Sequence, residues 1–431
     1  MERKVSKVID ELLNCLGDFT VSYQDKEIKF SGMLKKQERN VVLECQATPD
    51  TKSLAISQDE FQVYGTVVGT KVTLLECYVS SAKLIAPNFD KGTFILKPFE
   101  IVTGRNTKGQ ITATRINASI KELNWMFSTR ALKTNYAFQK ENPSLLDCTF
   151  PDPIIAQDDD GTIRIERFIR VLDEREICSF EVIPFIEFSF NSAVSIPDAV
   201  SKVASARNLL SFFSDYYLPL GELTFTDQEE SNVNDCELYQ NYEEEISIPS
   251  KPFLISSDVF QDNFQSIWDN WQKFYGENKN IAELFYEMIS NHSLKTNRFL
   301  NLCQCLEIYS RCYRNEEAKK VKERESNKKQ KVTLRHRIED LLIETSPYLG
   351  ITIEQCSALA ETISNARNYY THYDKKRTRP TFACISASSE LLHFVLLLVV
   401  YLLLEVPQDA ILKCKGFTPY KNMRYYIGDI K

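Results

Sequence analysis

The chain has 431 residues, of which 43% are hydrophobic and 26% charged, the balance of a globular protein with room for two or three domains. Its net charge of −7 excludes a general polyanion binder, so any nucleic-acid contact has to use a local basic patch. Glycine is scarce, at 13 residues, and no Gly-x-Gly-x-x-Gly or Gly-Lys-Ser/Thr stretch occurs, which argues against a nucleotide-binding engine.

The first residues, MERKVSKVIDELL, lack the apolar core of a signal peptide. The 12 cysteines are scattered without framework spacing. Both features point to free thiols in a reducing cytoplasm. Up to about residue 240 the chain reads mostly as strands. Short β-prone runs fall at 29–34, 41–45, 61–68, 72–79, 94–102, 111–120 and 163–171, and 180–190 alternates as another strand. Asp158-Asp-Asp-Gly161 reads as a hairpin turn in preference to a cation site. Residues 196–216 are predicted helical, because Val200, Val203, Ala204, Leu210 and Phe213 recur at helical spacing. Acidic polar residues at 227–231 and 242–245, closed by Pro249-Ser-Lys-Pro252, mark an interdomain connection.

From about 255 the periodicity changes to that of helices. Val259, Phe260, Phe264, Ile267, Trp268, Trp271 and Phe274 share one face, and Ile281, Leu284, Phe285 and Met288 the next. Further stripes run through 299–313 and 334–342. A Thr352-x-x-Gln355 capping box opens a fifth helix carrying Cys356, Leu359, Ala360, Ile363, Ala366 and Tyr370. The apolar run 391–404, LLHFVLLLVVYLLL, is shorter than the roughly 20 residues a membrane span needs. It is expected to be a core helix with no membrane contact, and to carry enough apolar surface for part of it to meet a second copy of the chain. The fold class is therefore an α+β multidomain protein: a β-rich sandwich or barrel-like domain at 1–245, then an all-α bundle at 255–431.

The fifth helix ends in Arg367-Asn-Tyr-Tyr-Thr-His372. Arginine can grip a phosphate through two parallel hydrogen bonds. Histidine moves protons near neutral pH. Together they supply what RNA cleavage by the ribose 2′-OH needs from side chains, with Asn368 as a polar orienting group. The plainer alternative is a surface helix end whose basic residue and histidine complement the helix dipole. On a straight helix Arg367 and His372 diverge by about 140°, so a complete site in one subunit requires the helix end to unwind. Two copies facing across a twofold axis would remove the difficulty. Tyr369, Tyr370 and Tyr373 are candidates to stack on bases, although packing is the commoner role of such aromatics.

A basic patch lies in the same region. Between 319 and 337 there are nine Lys/Arg and two Glu, read as an interhelix loop that is either simply solvated or a funnel for RNA phosphates. Its candidate contacts are Lys328, Lys329, Lys331 and Arg335, joined after the motif by Lys375, Lys376 and Arg377.

The helical region resembles the HEPN domain of the ApeA-like type. The resemblance rests on RNYYTH at 367–372, on ISNA at 363–366, and on RFLNLCQCLEIYSR at 298–311 as the family's Leu-Glu-bearing helix. More faintly, the strand-rich region and SIPDAVSKVASARNLLSFFS at 195–214 are similar to the ApeA-type N-terminal domain. The resemblance implies a dimeric, metal-independent ribonuclease of bacterial abortive defence against phage, without a cofactor. Arg367 and His372 would be its catalytic pair and Asn368 the polar residue after the arginine. It also implies an N-terminal domain that senses a phage-derived trigger. Some HEPN domains lack the motif and serve only in dimerisation or RNA binding, which is the alternative function.

Other constellations point to structure. Cys303 and Cys305 diverge on a helix, reading as buried thiols in preference to a zinc site. His393, inside the apolar run, reads as a satisfied core histidine. His292 and His336 have no matching arginine.

Overall fold

A computed structural model describes residues 7–24, 26–38, 40–85, 91–120, 123, 152–174, 177–227, 236–240, 254–290, 295–324, 331–372 and 379–413. The chain divides into two units. The first comprises Met1–Asn124, Ala131–Ala206 and Pro219–Ser247, and the second Trp125–Arg130, Arg207–Leu218 and Ile248–Lys431.

The first unit is built on one 13-stranded sheet. Its strands are β1 (Leu16–Tyr23), β2 (Lys26–Gln37), β3 (Asn40–Gln46), β4 (Phe61–Val67), β5 (Thr70–Leu84) and β6 (Gly92–Lys97). These six close into an antiparallel barrel in the order β4-β1-β2-β3-β6-β5, with β5 returning to β4. Closure depends on the length of β5. Its first half pairs with β4 through Thr70–Leu74, whereas Tyr78–Leu84 pairs with β6. Between the halves Glu76 takes a positive φ of 48°, and the register shifts beside it, which turns the strand from one neighbour to the next. Alternation puts Phe19, Val21, Leu34, Leu43, Val63, Leu74, Phe94 and Leu96 inside, all buried. Gly65 sits opposite Phe19 in the β1–β4 ladder. A Cβ there would lie 2.2 Å from the Asp18 carbonyl oxygen and 2.6 Å from the Phe19 ring, so only glycine fits.

Beyond β5 the sheet continues through β7 (Glu100–Thr103), β13 (Cys236–Gln240), β12 (Leu223–Thr226), β8 (Thr112–Ser119), β11 (Ile177–Ser195), β10 (Gly161–Glu174) and β9 (Ile154–Gln157). The N-terminal region is thus a barrel with additional strands. Two sequence expectations change here. The run 94–102 is two strands, parted at Pro98-Phe99, because proline offers no N–H to a ladder. The stretch read as interdomain connection contains β13, which pairs with both β7 and β12. Its Cys236, Leu238 and Tyr239 are buried, and at five residues it is too short to stand out in an acidic segment. The Asp158–Gly161 turn is confirmed, with the Asp158 and Gly161 backbones bonded to each other. Lys202 places its ammonium 2.9 Å from Asp158 and 2.5 Å from Asp160, so a side-chain cation already serves these carboxylates.

The helices before the second unit's bundle are α1 (Lys7–Leu12), α2 (Lys52–Ala55) and α3 (Ile196–Ser214). The bundle contains α4 (Ser257–Asp262), α5 (Phe264–Ser290), α6 (Lys295–Tyr313), α7 (Asn315–Glu323), α8 (Leu334–Leu349), α9 (Ile353–His372), α10 (Phe382–Leu403) and α11 (Gln408–Lys413). The stripes expected at 259–274 and 281–288 divide differently: Val259 and Phe260 lie on α4, which ends before Asn263, while the rest of both lie on one helix, α5, kinked at Asn278 (φ −137°, ψ 39°). The Asn278 amide donates to the Tyr313 hydroxyl at 2.6 Å, satisfying a buried polar group at the kink. Gly350, at φ 65°, ends α8 in the left-handed conformation, its N–H donating to the Ser346 carbonyl.

Helix α10 is long and apolar enough to cross a membrane, but 78% of its most apolar window is buried. The Tyr401 hydroxyl donates to the Phe212 carbonyl at 2.6 Å, and the Val399 carbonyl accepts from Tyr309 at 3.2 Å. Residues 391–401 are all buried by the chain itself. The expectation that a second copy covers part of this helix is therefore overturned: neighbouring helices cover it already. His393 lies in the core as expected, with Nε2 2.5 Å from Asp215 Oδ1 and its ring stacked on Phe285, but it is satisfied on one side only: its buried Nδ1 has no hydrogen-bond partner among the described residues.

Candidate functional site

Helix α9 begins as its capping box requires. The Thr352 N–H donates to Gln355 Oε1 at 2.8 Å, and the Gln355 N–H returns to Thr352 Oγ1 at 3.3 Å. Cys356, Leu359, Ala360, Ile363 and Ala366 form its buried stripe. The helix continues to His372, so the end does not unwind. Arg367 and His372 therefore keep their divergence of about 140°, with about 7.5 Å of rise between them.

Arg367 lies at the edge of the buried stripe, its side chain 30% exposed, with Nη2 4.0 Å from Glu307 Oε2 on α6. The other Glu307 oxygen accepts from Arg311, at 2.6 Å from Nη2 and 3.2 Å from Nε. Arg337, on α8, is buried and donates to Ser310 Oγ at 3.3 Å and Asn315 Oδ1 at 3.1 Å. Burial lowers its pKa, the Arg311 charge adds to this, and the Glu307 carboxylate opposes both. Cys303, one turn before Glu307, is a buried free thiol. Burial holds its pKa well above the usual thiol range, against the pull of Arg367.

His372 is exposed at the last turn of α9 and makes no hydrogen bond among the described residues. Asn368 is half-buried, and Asn365 and Glu361 are exposed. The Thr371 hydroxyl donates back to the Arg367 carbonyl at 2.9 Å. The Tyr369 and Tyr370 rings meet edge to face, 5.2 Å between centroids, and both are half-buried.

Two family models match: ApeA N-terminal domain 1 over residues 14–271, and Apea-like HEPN over residues 300–410. The chain belongs to the ApeA-like HEPN family. No curated protein and no solved structure matches it significantly. The HEPN match covers α6 to α10, the helices that carry Glu307, Arg367 and His372.

In this ApeA-like HEPN chain the basic patch departs from expectation. It is not a single loop. Lys319, Lys320 and Lys322 lie on α7, and Arg335 and Arg337 on α8. Here α7 buries Ala318 and Val321, enough apolar contact to hold a highly charged helix against the bundle. Lys319 pairs with Glu316 at 2.5 Å. Lys331 is exposed. Arg335 is half-buried, 3.3 Å from Ser357 Oγ and 3.9 Å from Glu339, so it is less available to a phosphate than a surface lysine. Lys328, Lys329, Tyr373, Lys375, Lys376 and Arg377 lie outside the described residues, as does His292.

His336 closes a capping box at the start of α8, where its Nδ1 accepts from the Thr333 N–H at 3.0 Å. Its proton is thereby assigned to Nε2 in the neutral ring. Cys303 and Cys305 are free and buried. Sequence reasoning met Glu307 only through the Leu-Glu-bearing helix, with no role assigned to it, and did not single out Arg311. Their i, i+4 spacing on a helix facing the motif was the available signal.

Proposed function

We propose that this protein is a metal-independent endoribonuclease of the HEPN type, an effector of abortive-infection defence against phage that acts in the cytoplasm. The family assignment supports a HEPN-type defence protein. The observation that carries the nuclease reading is the disposition of Arg367 and His372 on one unbroken helix, the first beside Glu307 and the second open to solvent.

In this reading an imidazole accepts the ribose 2′-OH proton while the oxygen attacks the adjacent phosphorus. The bond to the 5′-oxygen breaks, and an imidazolium returns a proton to it. Arg367 holds the non-bridging oxygens as negative charge builds, and Asn368 orients the reacting groups. Because the two side chains diverge, a working site takes Arg367 from one subunit and His372 from the other, in a homodimer with the motifs facing across a twofold axis. Lys331 and Arg335, with Lys328, Lys329, Lys375, Lys376 and Arg377, guide the RNA, and Tyr369 and Tyr373 stack on its bases. The β-rich domain restrains the nuclease until it senses a phage-derived trigger.

The Arg367–Glu307 contact favours a second reading, in which the motif arginine is structural and the helical domain only dimerises or binds RNA. RNA incubated with the wild type and with His372→Ala, resolved on a gel, separates the two. Fragments produced by the wild type alone support the nuclease; intact RNA with both supports the binding module.

A further inference from the structure

Two arginines, on α6 and α9, approach one carboxylate, and a third, on α8, lies within electrostatic range of it. Arg311 and Arg367 approach opposite oxygens of Glu307, and Arg337 is close enough to feel the charges of both Arg311 and Glu307. Counted formally, the group carries two uncompensated positive charges. The side chain of Arg311 is 60% exposed, so its guanidinium can turn toward solution without crossing packed surface. Arg337 cannot turn. It is 5% exposed and fixed by Ser310 and Asn315, and its buried Nε has no partner among the described residues. A fixed charge in a poorly screened position acts more strongly on an arriving anion than one in water. The two carboxylate oxygens of Glu307 offer the acceptor pair that the two non-bridging oxygens of a phosphodiester would offer.

We infer that Arg311 and Arg367 form a phosphate-binding subsite for the RNA backbone, that Arg337 supplies a fixed charge behind it, and that Glu307 is the internal anion a phosphate displaces. The inference rests on the nuclease reading only for the choice of RNA as ligand. Without ligand, Glu307 keeps the guanidinium groups from repelling one another; with RNA bound, a phosphate takes over that role.

The test uses the full chain carrying His372→Ala, so that RNA is retained, and a fluorescein-labelled single-stranded RNA followed by anisotropy across a salt series. Adding Arg311→Ala should weaken binding about tenfold and flatten the slope of log K against log salt by about 0.7, the share of one phosphate contact on a single strand. Arg311→Lys should restore the slope and only part of the affinity. Glu307→Gln should tighten binding. Melting curves of each variant confirm folding; Arg311→Lys keeps the test decisive if Arg311→Ala is unstable. Unchanged affinity and slope on removing the Arg311 charge would overturn the subsite, as would a parent protein that binds no RNA. Weaker binding by Glu307→Gln would overturn the displacement. Cleavage by the wild type is read separately on the same RNA. Its absence, with the Arg311 slope change intact, defeats the nuclease reading and leaves the subsite standing.

Discussion

The Arg367 guanidinium lies 4.0 Å from the Glu307 carboxylate, while His372, five residues on, is exposed. One motif thus presents one residue to the bundle and the other to solvent. The contact with Glu307 is a partly exposed ion pair, worth about 1 kcal/mol or less. Arg367→Ala should therefore melt within a few degrees of the wild type, yet lose roughly 10²–10⁴ in cleavage rate. His372→Ala should behave alike, and Asn368→Ala should lose less. Unfolding of Arg367→Ala, seen by circular dichroism, would make the arginine a structural residue.

The chemistry of the ends follows from 2′-OH attack. Products should carry 2′,3′-cyclic phosphate and 5′-hydroxyl termini, and cleavage should persist in EDTA. Polynucleotide kinase treatment distinguishes these termini. DNA cut at the same rate as RNA would exclude the mechanism.

A half-buried carboxylate away from the motif sets a pH dependence of stability. Arg314 is held bidentately by Asp340, at 2.8 and 3.0 Å, and also donates to Glu344 at 2.6 Å. Burial, more than any neighbour, raises Glu344 from 4.5 to about 7; Asp340 and Glu317 add to the rise and Arg314 opposes it. A carboxyl with a raised folded-state pKa contributes stability that is full below its unfolded value and is lost as pH rises through the folded one. Wild type should thus lose up to ~3 kcal/mol relative to Glu344→Gln between pH 4.5 and about 7. Denaturant titrations of both proteins at pH 5 and pH 8 check this. Parallel pH profiles would show that Glu344 stays ionised throughout.

Gly65→Ala probes the barrel. A methyl group 2.2 Å from the Asp18 carbonyl and 2.6 Å from Phe19 forces the β1–β4 pair apart, at a cost of about 1–3 kcal/mol. Urea unfolding should show the loss. A stability equal to wild type would mean that the ladder relaxes freely at this position.

How far the fold could be read in advance followed from the length of each element. The stripe from Cys356 to Ala366 and the Thr352–Gln355 cap located α9 to within a residue, because a long helix repeats its signal several times. The strands β9, β12 and β13, of four or five residues, offer one or two alternations each and were missed; β1, of eight residues, was missed as well, because its Gly17-Asp18 start reads as a turn. Helix α7 hid inside a charge run, since it buries only Ala318 and Val321. The motif itself was legible as residue types at a spacing. Its contact with Glu307 was not, because it joins helices sixty residues apart in sequence. The apolar excess of α10 was legible, but what covers it was not: Tyr309 and Phe212 reach it from distant segments.

The central claim is that each working site takes Arg367 from one subunit and His372 from the other. An equal mixture of Arg367→Ala and His372→Ala chains, unfolded together and refolded, tests it directly. Half of the dimers would be mixed, and each would hold one intact pair of the two, so cleavage should return to about a quarter of the wild-type rate. Activity no higher than that of either variant alone would contradict the claim.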